Sequence, residues 1–195
     1  AMDGEPGPVF VEIPVNLQLL TGDPGATHEP PVHVAPDECC SAVSITEATR
    51  LLASARAPGL FVGWGAVDAS RELVELAERL GAPVSTTLQG LSAFPANHPL
   101  HAGFCLGRAA VPAVENAFRD CDCMLAVGTR FGEIATGSYG YDPPSNLVHV
   151  DINPEVFDAN YPARVALEGD AGAVLRRLLA ELPAIPGSEL RRAGV

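Results

Sequence analysis

Small, hydrogen-bonding residues follow each of five apolar runs in this sequence: Gly63-Trp64-Gly65, Thr86-Thr87, Gly128-Thr129-Arg130, Asp151-Ile152-Asn153 and Gly169-Asp170-Ala171. Glycine lets a backbone approach a phosphate closely, threonine and asparagine make directional bonds, and an aspartate leaving a strand can accept from a ribose hydroxyl. The set suits a mononucleotide or a dinucleotide. The same residue types also make the turns that leave any strand, so on composition both readings stand.

Other chemistries have weaker signals. Gly63-x-Gly65 has no third glycine at the spacing of the dinucleotide fingerprint. Arg130 can reach a phosphate or stack on a flat ring; the alternative is a salt bridge to Glu133 or Asp142. His98 and His101 are three apart, but no carboxylate or cysteine at ligand spacing completes a metal site, which favours a structural loop. The 5 cysteines include Cys39 beside Cys40 and Cys121 one residue from Cys123. That is neither a disulfide framework nor zinc spacing; it reads as buried or idle thiols in a reducing, cytosolic setting. No serine-histidine-acid set or isolated acid pair points to catalysis, and Glu133 reads as a capping or ion-pair residue.

The elements that must position these residues follow from the hydrophobic pattern. Strand signals fall at 59–65, 82–87, 123–128, 146–151 and 164–168, and helix signals at 47–57 (capped by Thr46), 70–80, 109–118 and 171–182. Alternating strands and helices predict an α/β fold with a doubly wound parallel sheet, in which ligands sit beyond the carboxyl ends of the strands. Upstream, residues 9–15 read as a buried strand with nothing before it to pair with, the end of a preceding domain. Residues 21–38 hold prolines, glycines and acids without periodicity, an interdomain linker. Residues 137–144 break the alternation as a loop, and 183–195 read as a flexible tail. A net charge of -12 removes nucleic acid as a default partner. No apolar run of membrane-spanning length and no signal peptide is visible, so a soluble, cytoplasmic protein is expected.

Several motifs in order carry a resemblance. Gly-Pro-Val-Phe-Val-Glu-Ile-Pro-Val-Asn-Leu-Gln (7–18) resembles the segment closing the pyrimidine-binding domain of acetolactate-synthase-like enzymes. Leu-Gly-Ala-Pro-Val-Ser-Thr-Thr-Leu-Gln-Gly (80–90), Phe-Pro-Ala-Asn-His-Pro-Leu (94–100), Val-Gly-Thr-Arg-Phe (127–131), His-Val-Asp-Ile-Asn-Pro (149–154) and Gly-Asp-Ala (169–171) resemble that family's central domain.

The resemblance implies a six-stranded, parallel, Rossmann-like domain of the DHS-like NAD/FAD-binding type over residues 40–182, after a domain remnant at 1–20 and a linker at 21–39. It implies FAD or ADP at Gly63, Gly65, Thr87, Leu88, Gly128, Thr129, Arg130, Asp151, Ile152, Asn153, Gly169, Asp170 and Ala171. Trp64 departs from the glycine common in FAD-binding members and can fill the cofactor's space. Gly132 replaces an aspartate common there, and residues 104–108 lack the usual Leu-Gly-Met-His wording. The parent so implied is a homo-oligomeric decarboxylase or carboligase of 2-keto acids. Its thiamine diphosphate and Mg2+ are held by pyrimidine-binding and diphosphate-binding domains whose motifs this sequence lacks, so no catalytic or metal residue is assigned here. The alternatives are a stand-alone nucleotide- or flavin-binding module and a ligand-free scaffold.

Overall fold

The computed structural model describes residues 7–23 and 40–185. The chain divides into two units, 1–35 and 36–195. Residues 24–39 of the linker expected at 21–39, Cys39 among them, and residues 186–195 of the expected tail lie outside the described residues.

In the first unit the strand expected at 9–15 is absent. Residues 7–14 are irregular and lead into one helical turn, α1 (Val15–Gln18), with no buried residue. Val9, Phe10, Val11 and Ile13 are exposed. β-propensity marks a segment that suits a sheet, but a strand also needs a neighbour for its N–H and C=O groups; the described part of this unit holds none.

The second unit contains α2 (Ala42–Ser54), β1 (Pro58–Val62), α3 (Ser70–Leu80), β2 (Val84–Thr86), β3 (His101–Phe104), α4 (Pro112–Ala117), β4 (Cys123–Val127), β5 (Leu147–Asp151), β6 (Val165–Glu168) and α5 (Ala171–Glu181). The six strands form one sheet in the order β3-β2-β1-β4-β5-β6, every pair parallel. This is the doubly wound order, with its switch point between β1 and β4.

Both faces of the sheet are covered, which is why β1 and β4 read as unbroken apolar runs. Leu60, Val62, Leu125, Val127, Val148 and Val150 pack under α2, α3 and α5. On the opposite face Phe61, Met124, Ala126 and Leu147 meet Val114 of α4, Phe118 just after it, and the loop residues Leu106 and Phe131. The apolar spacing of α3 accounts for its buried Leu73, Leu76, Ala77 and Leu80. No described helix is long and apolar enough to cross a membrane.

Element ends shift by a few residues, the strand expected at 59–65 closing at Val62, and three departures are larger. Helix α2 starts at Ala42 and is capped by Ser41, whose Oγ accepts from the Ser44 N–H at 3.0 Å; the expected cap, Thr46, lies inside it and its hydroxyl donates to Glu181. The helix expected at 109–118 is shortened to α4 because Pro112 has no N–H to give and occupies a first-turn position. Strand β3 falls where a loop containing His101 was expected; it is an edge strand, all four residues half-buried, and it holds Gly103.

Candidate functional site: the carboxyl ends of the strands

Each sequence-selected residue lies just beyond the carboxyl end of a strand: Gly63 and Gly65 after β1, Thr87 and Leu88 after β2, and Gly128, Thr129 and Arg130 after β4. Asp151 closes β5, with Ile152 and Asn153 after it, and Gly169, Asp170 and Ala171 follow β6. Because β2, β1, β4, β5 and β6 are neighbours in that order, all thirteen line one edge of the sheet.

The glycines have a packing role there. A Cβ on Gly63 would meet the Gly128 carbonyl oxygen and, at 2.8 Å, both the Gly128 carbonyl carbon and Thr129 Cβ; one on Gly128 would stand 2.5 Å from the Gly65 carbonyl carbon. Gly128 also has φ +59, a left-handed conformation that costs a side-chain-bearing residue about 1–2 kcal/mol. The loops leaving β1 and β4 thus touch backbone to backbone.

Several backbone donors at this edge are already committed. Gly63 N–H donates to Val127 O at 2.9 Å, Gly65 to Gly128 O at 3.1 Å, Thr87 to Val62 O at 2.8 Å, Gly128 to Val150 O at 2.8 Å and Gly169 to Asp151 O at 2.8 Å. These bonds extend the ladder past the strand ends. Trp64, Leu88, Thr129, Arg130, Ile152 and Asp170 are among the positions whose N–H groups enter none of these backbone bonds among the described residues.

The turn that presents Arg130 is fastened from three sides. His149, buried in β5, places Nε2 2.7 Å from Thr129 O; a carbonyl only accepts, so Nε2 carries the proton. Burial pushes the His149 pKa down, with the bond to Thr129 opposing that shift, and Phe131 and Phe157 meet the ring edge-on. Asn160 Nδ2 donates to Arg130 O at 2.9 Å. Thr129 Oγ1 accepts from Phe131 N–H at 3.2 Å, holding Phe131 at φ 51 with its ring buried. Arg130 itself is exposed, and its guanidinium pairs with neither Glu133 nor Asp142. His149 and Asn160 were not among the selected residues; a histidine inside the apolar run 147–150 was the one available signal.

The acidic positions are acceptors rather than phosphate partners. Asp151 Oδ1 accepts from Asn153 N–H at 3.0 Å and Asn153 Oδ1 from Glu155 N–H at 2.9 Å. Asp170 caps α5, its Oδ1 accepting from Ala173 N–H at 2.9 Å. A carboxylate already sits at that helix N-terminus, so this end of the edge suits a hydroxyl donor better than a second anion.

Trp64 does not fill the interior of the crevice: it is 65% exposed. His98 is held in its loop by bonds to Glu78 and to Leu100 N–H. Among the described residues no three metal-ligating side chains converge. Burial pushes the thiols of Cys121 and Cys123 up to about 12, which leaves them protonated and unreactive at neutral pH. A surface depression of about 500 Å³ lies away from the strand ends, between Thr46, Arg50 and Glu181 on the outer surface of α2 and α5; it is open and is lined by no residue of the sheet.

Comparison with known proteins places this geometry in a family. Residues 45–178 match the family model described as thiamine pyrophosphate enzyme, central domain. The acetolactate synthase isozyme 2 large subunit of Escherichia coli is 36% identical over 183 residues, covering 91% of this chain and 32% of that protein. The acetolactate synthase large subunit of Corynebacterium glutamicum is 36% identical over 185 residues, 92% of this chain and 29% of that protein. An X-ray structure from Mycobacterium smegmatis, assigned as a thiamin diphosphate-dependent enzyme, superposes with TM-score 0.62 at 26% identity, covering 84% of this chain and 31% of that one. The chain spans about a third of the length of the curated relatives it matches. With a six-stranded parallel sheet in doubly wound order and a family match across most of its length, the chain belongs to the central-domain family of thiamine pyrophosphate enzymes.

Proposed function

We propose that this chain is the central domain of an acetolactate-synthase-like enzyme acting on 2-keto acids, and that the edge formed by its strand ends holds FAD or ADP in an extended, structural role. Thiamine diphosphate and Mg2+ are assigned to the parent's pyrimidine- and diphosphate-binding domains, as is catalysis; the chain alone is expected to be inactive. A cytoplasmic homo-oligomer is the corresponding state of the parent. Residues 1–20 are read as the end of the preceding domain and 21–39 as the linker.

The observation that carries the nucleotide reading is the row of five strand ends. Neighbouring strands lie about 4.8 Å apart, so the row from β2 to β6 spans roughly 19 Å, the reach of an extended dinucleotide rather than of a lone phosphate. Arg130 supplies a cation unpaired by any described acid, Trp64, Leu88 and Ile152 have uncommitted N–H groups, and Asp151 and Asp170 supply acceptors suited to ribose hydroxyls. A ligand-free scaffold is favoured by one observation, that Gly63, Gly65, Thr87, Gly128 and Gly169 have already spent their N–H groups on protein acceptors.

Thermal melts with FAD, ADP, ATP, NAD+ and coenzyme A separate the two. A ligand at about 100 times its dissociation constant stabilises by roughly 2.7 kcal/mol. A rise with FAD or ADP supports the nucleotide site; no rise with any of the five supports the scaffold.

A further inference from the structure

Trp64 is the only tryptophan in the chain, and 65% of it faces solvent at the switch point of the sheet. Tryptophan ordinarily repays the ordering of its ring by burial, and this one forgoes it. The backbone beneath it is nonetheless fixed. Gly63 and Gly65 on either side donate to Val127 and Gly128, and both lie against Gly128. The loop leaving β2 abuts the same place, since a Cβ on Gly90 would stand 2.9 Å from Gly63 Cα; that loop carries Leu88, also exposed, at 43%. Two uncovered apolar side chains therefore rise from two loops in backbone contact, beside the turn that holds Arg130. An exposed indole on a rigid base, in a loop whose backbone touches the start of the turn carrying an unpaired guanidinium, suits a flat heterocycle attached to a phosphate.

We propose that Trp64 is the ring-stacking platform of the strand-end crevice, taking the planar heterocycle of a bound nucleotide on its indole face. The proposal rests on the nucleotide reading above and adds what that reading leaves open: which side chain recognises a ring rather than a phosphate. Its opposite is that the indole obstructs the crevice, and the two predict opposite signs for the same substitution.

The test is a titration of the purified chain, Trp64→Phe, Trp64→Ala and Trp64→Gly with ADP, FMN and pyrophosphate, reading Trp64 fluorescence in the parent and calorimetry throughout. Stacking predicts that ADP or FMN quenches Trp64, the ligand that quenches naming the ring. Trp64→Phe then keeps affinity for that ligand within about twofold, and Trp64→Ala and Trp64→Gly lose about tenfold. Pyrophosphate, which has no ring, binds all four alike. If Trp64→Gly binds ADP or FMN more tightly than the parent does, the indole obstructs and the proposal is overturned while the nucleotide site stands. Equal affinities across the four proteins overturn it too. If neither the parent nor Trp64→Gly binds any of the three ligands, the nucleotide reading itself fails and the proposal with it.

Discussion

Replacing Gly63 by alanine tests whether the strand-end glycines are there for packing. The added Cβ would stand 2.8 Å from the Gly128 carbonyl carbon and from Thr129 Cβ, and closer still to the carbonyl oxygen. Carbon atoms rest at about 3.5 Å or more, so the two loops must part by roughly 0.7 Å. That movement stretches the bond from Gly63 N–H to Val127 O, now 2.9 Å, to about 3.6 Å, outside hydrogen-bond range. It also strains the bond from Gly65 to Gly128 O, now 3.1 Å. A buried backbone group left unsatisfied costs about 1–3 kcal/mol, and with two bonds affected we expect a loss of about 2–4 kcal/mol. At roughly 2–4 °C per kcal/mol for a domain of this size, the melting temperature should fall by about 4–16 °C. Gly132→Ala is the control, because its Cβ meets nothing within 4 Å and its φ lies outside the left-handed region; there alanine should raise stability by about 0.4–1 kcal/mol through the unfolded chain. Urea unfolding followed by circular dichroism measures both. Gly63→Ala at parental stability, or Gly132→Ala less stable than Gly63→Ala, would refute the argument.

Three further outcomes are expected. His149 has its pKa lowered from 6.5 chiefly by burial, so below about pH 6.5 the unfolded chain takes up a proton that the folded one refuses. Its contribution is whole above that pH and is lost as pH falls towards the folded pKa, so urea stability should drop between pH 7 and 5.5 and do so less in His149→Phe. Asp170→Ala removes the cap of α5 and should cost about 1 kcal/mol by the same assay. Arg130→Ala removes an exposed guanidinium without a described ion pair, so its melting temperature should stay near the parent's, while calorimetry should show FAD or ADP bound about tenfold more weakly through the lost charge-assisted bond.

Much of the sheet was legible because parallel strands covered on both faces are short apolar runs, as in residues 123–127 and 147–150. The residues after those runs could be named because a doubly wound sheet leaves its loops only at strand ends. What escaped was whatever tertiary context decides. Strand β3, His-Ala-Gly-Phe, has neither alternation nor a β-branched residue, and exists because β2 offers it a partner. Residues 9–15 show the converse, strand composition without a partner among the described residues of their own unit. The α2 start at Ala42 was hidden because Val43 is exposed and adds nothing to the apolar face. The glycines after β1 and β4 were read as making room for phosphate, and only coordinates reveal that they make room for each other. The clamp of His149 and Asn160 on the Arg130 turn joins residues 20 and 30 positions apart, a distance that no local pattern spans.

The central claim is that the strand-end edge is a nucleotide site. Amide ¹H–¹⁵N spectra of the chain, recorded with and without FAD, test it by location as well as by affinity. The account predicts shifts confined to residues 64–65, 87–88, 129–130, 151–153 and 169–171. Shifts at the depression beside Thr46, Arg50 and Glu181 instead, or no shifts at saturating FAD and ADP, would contradict it.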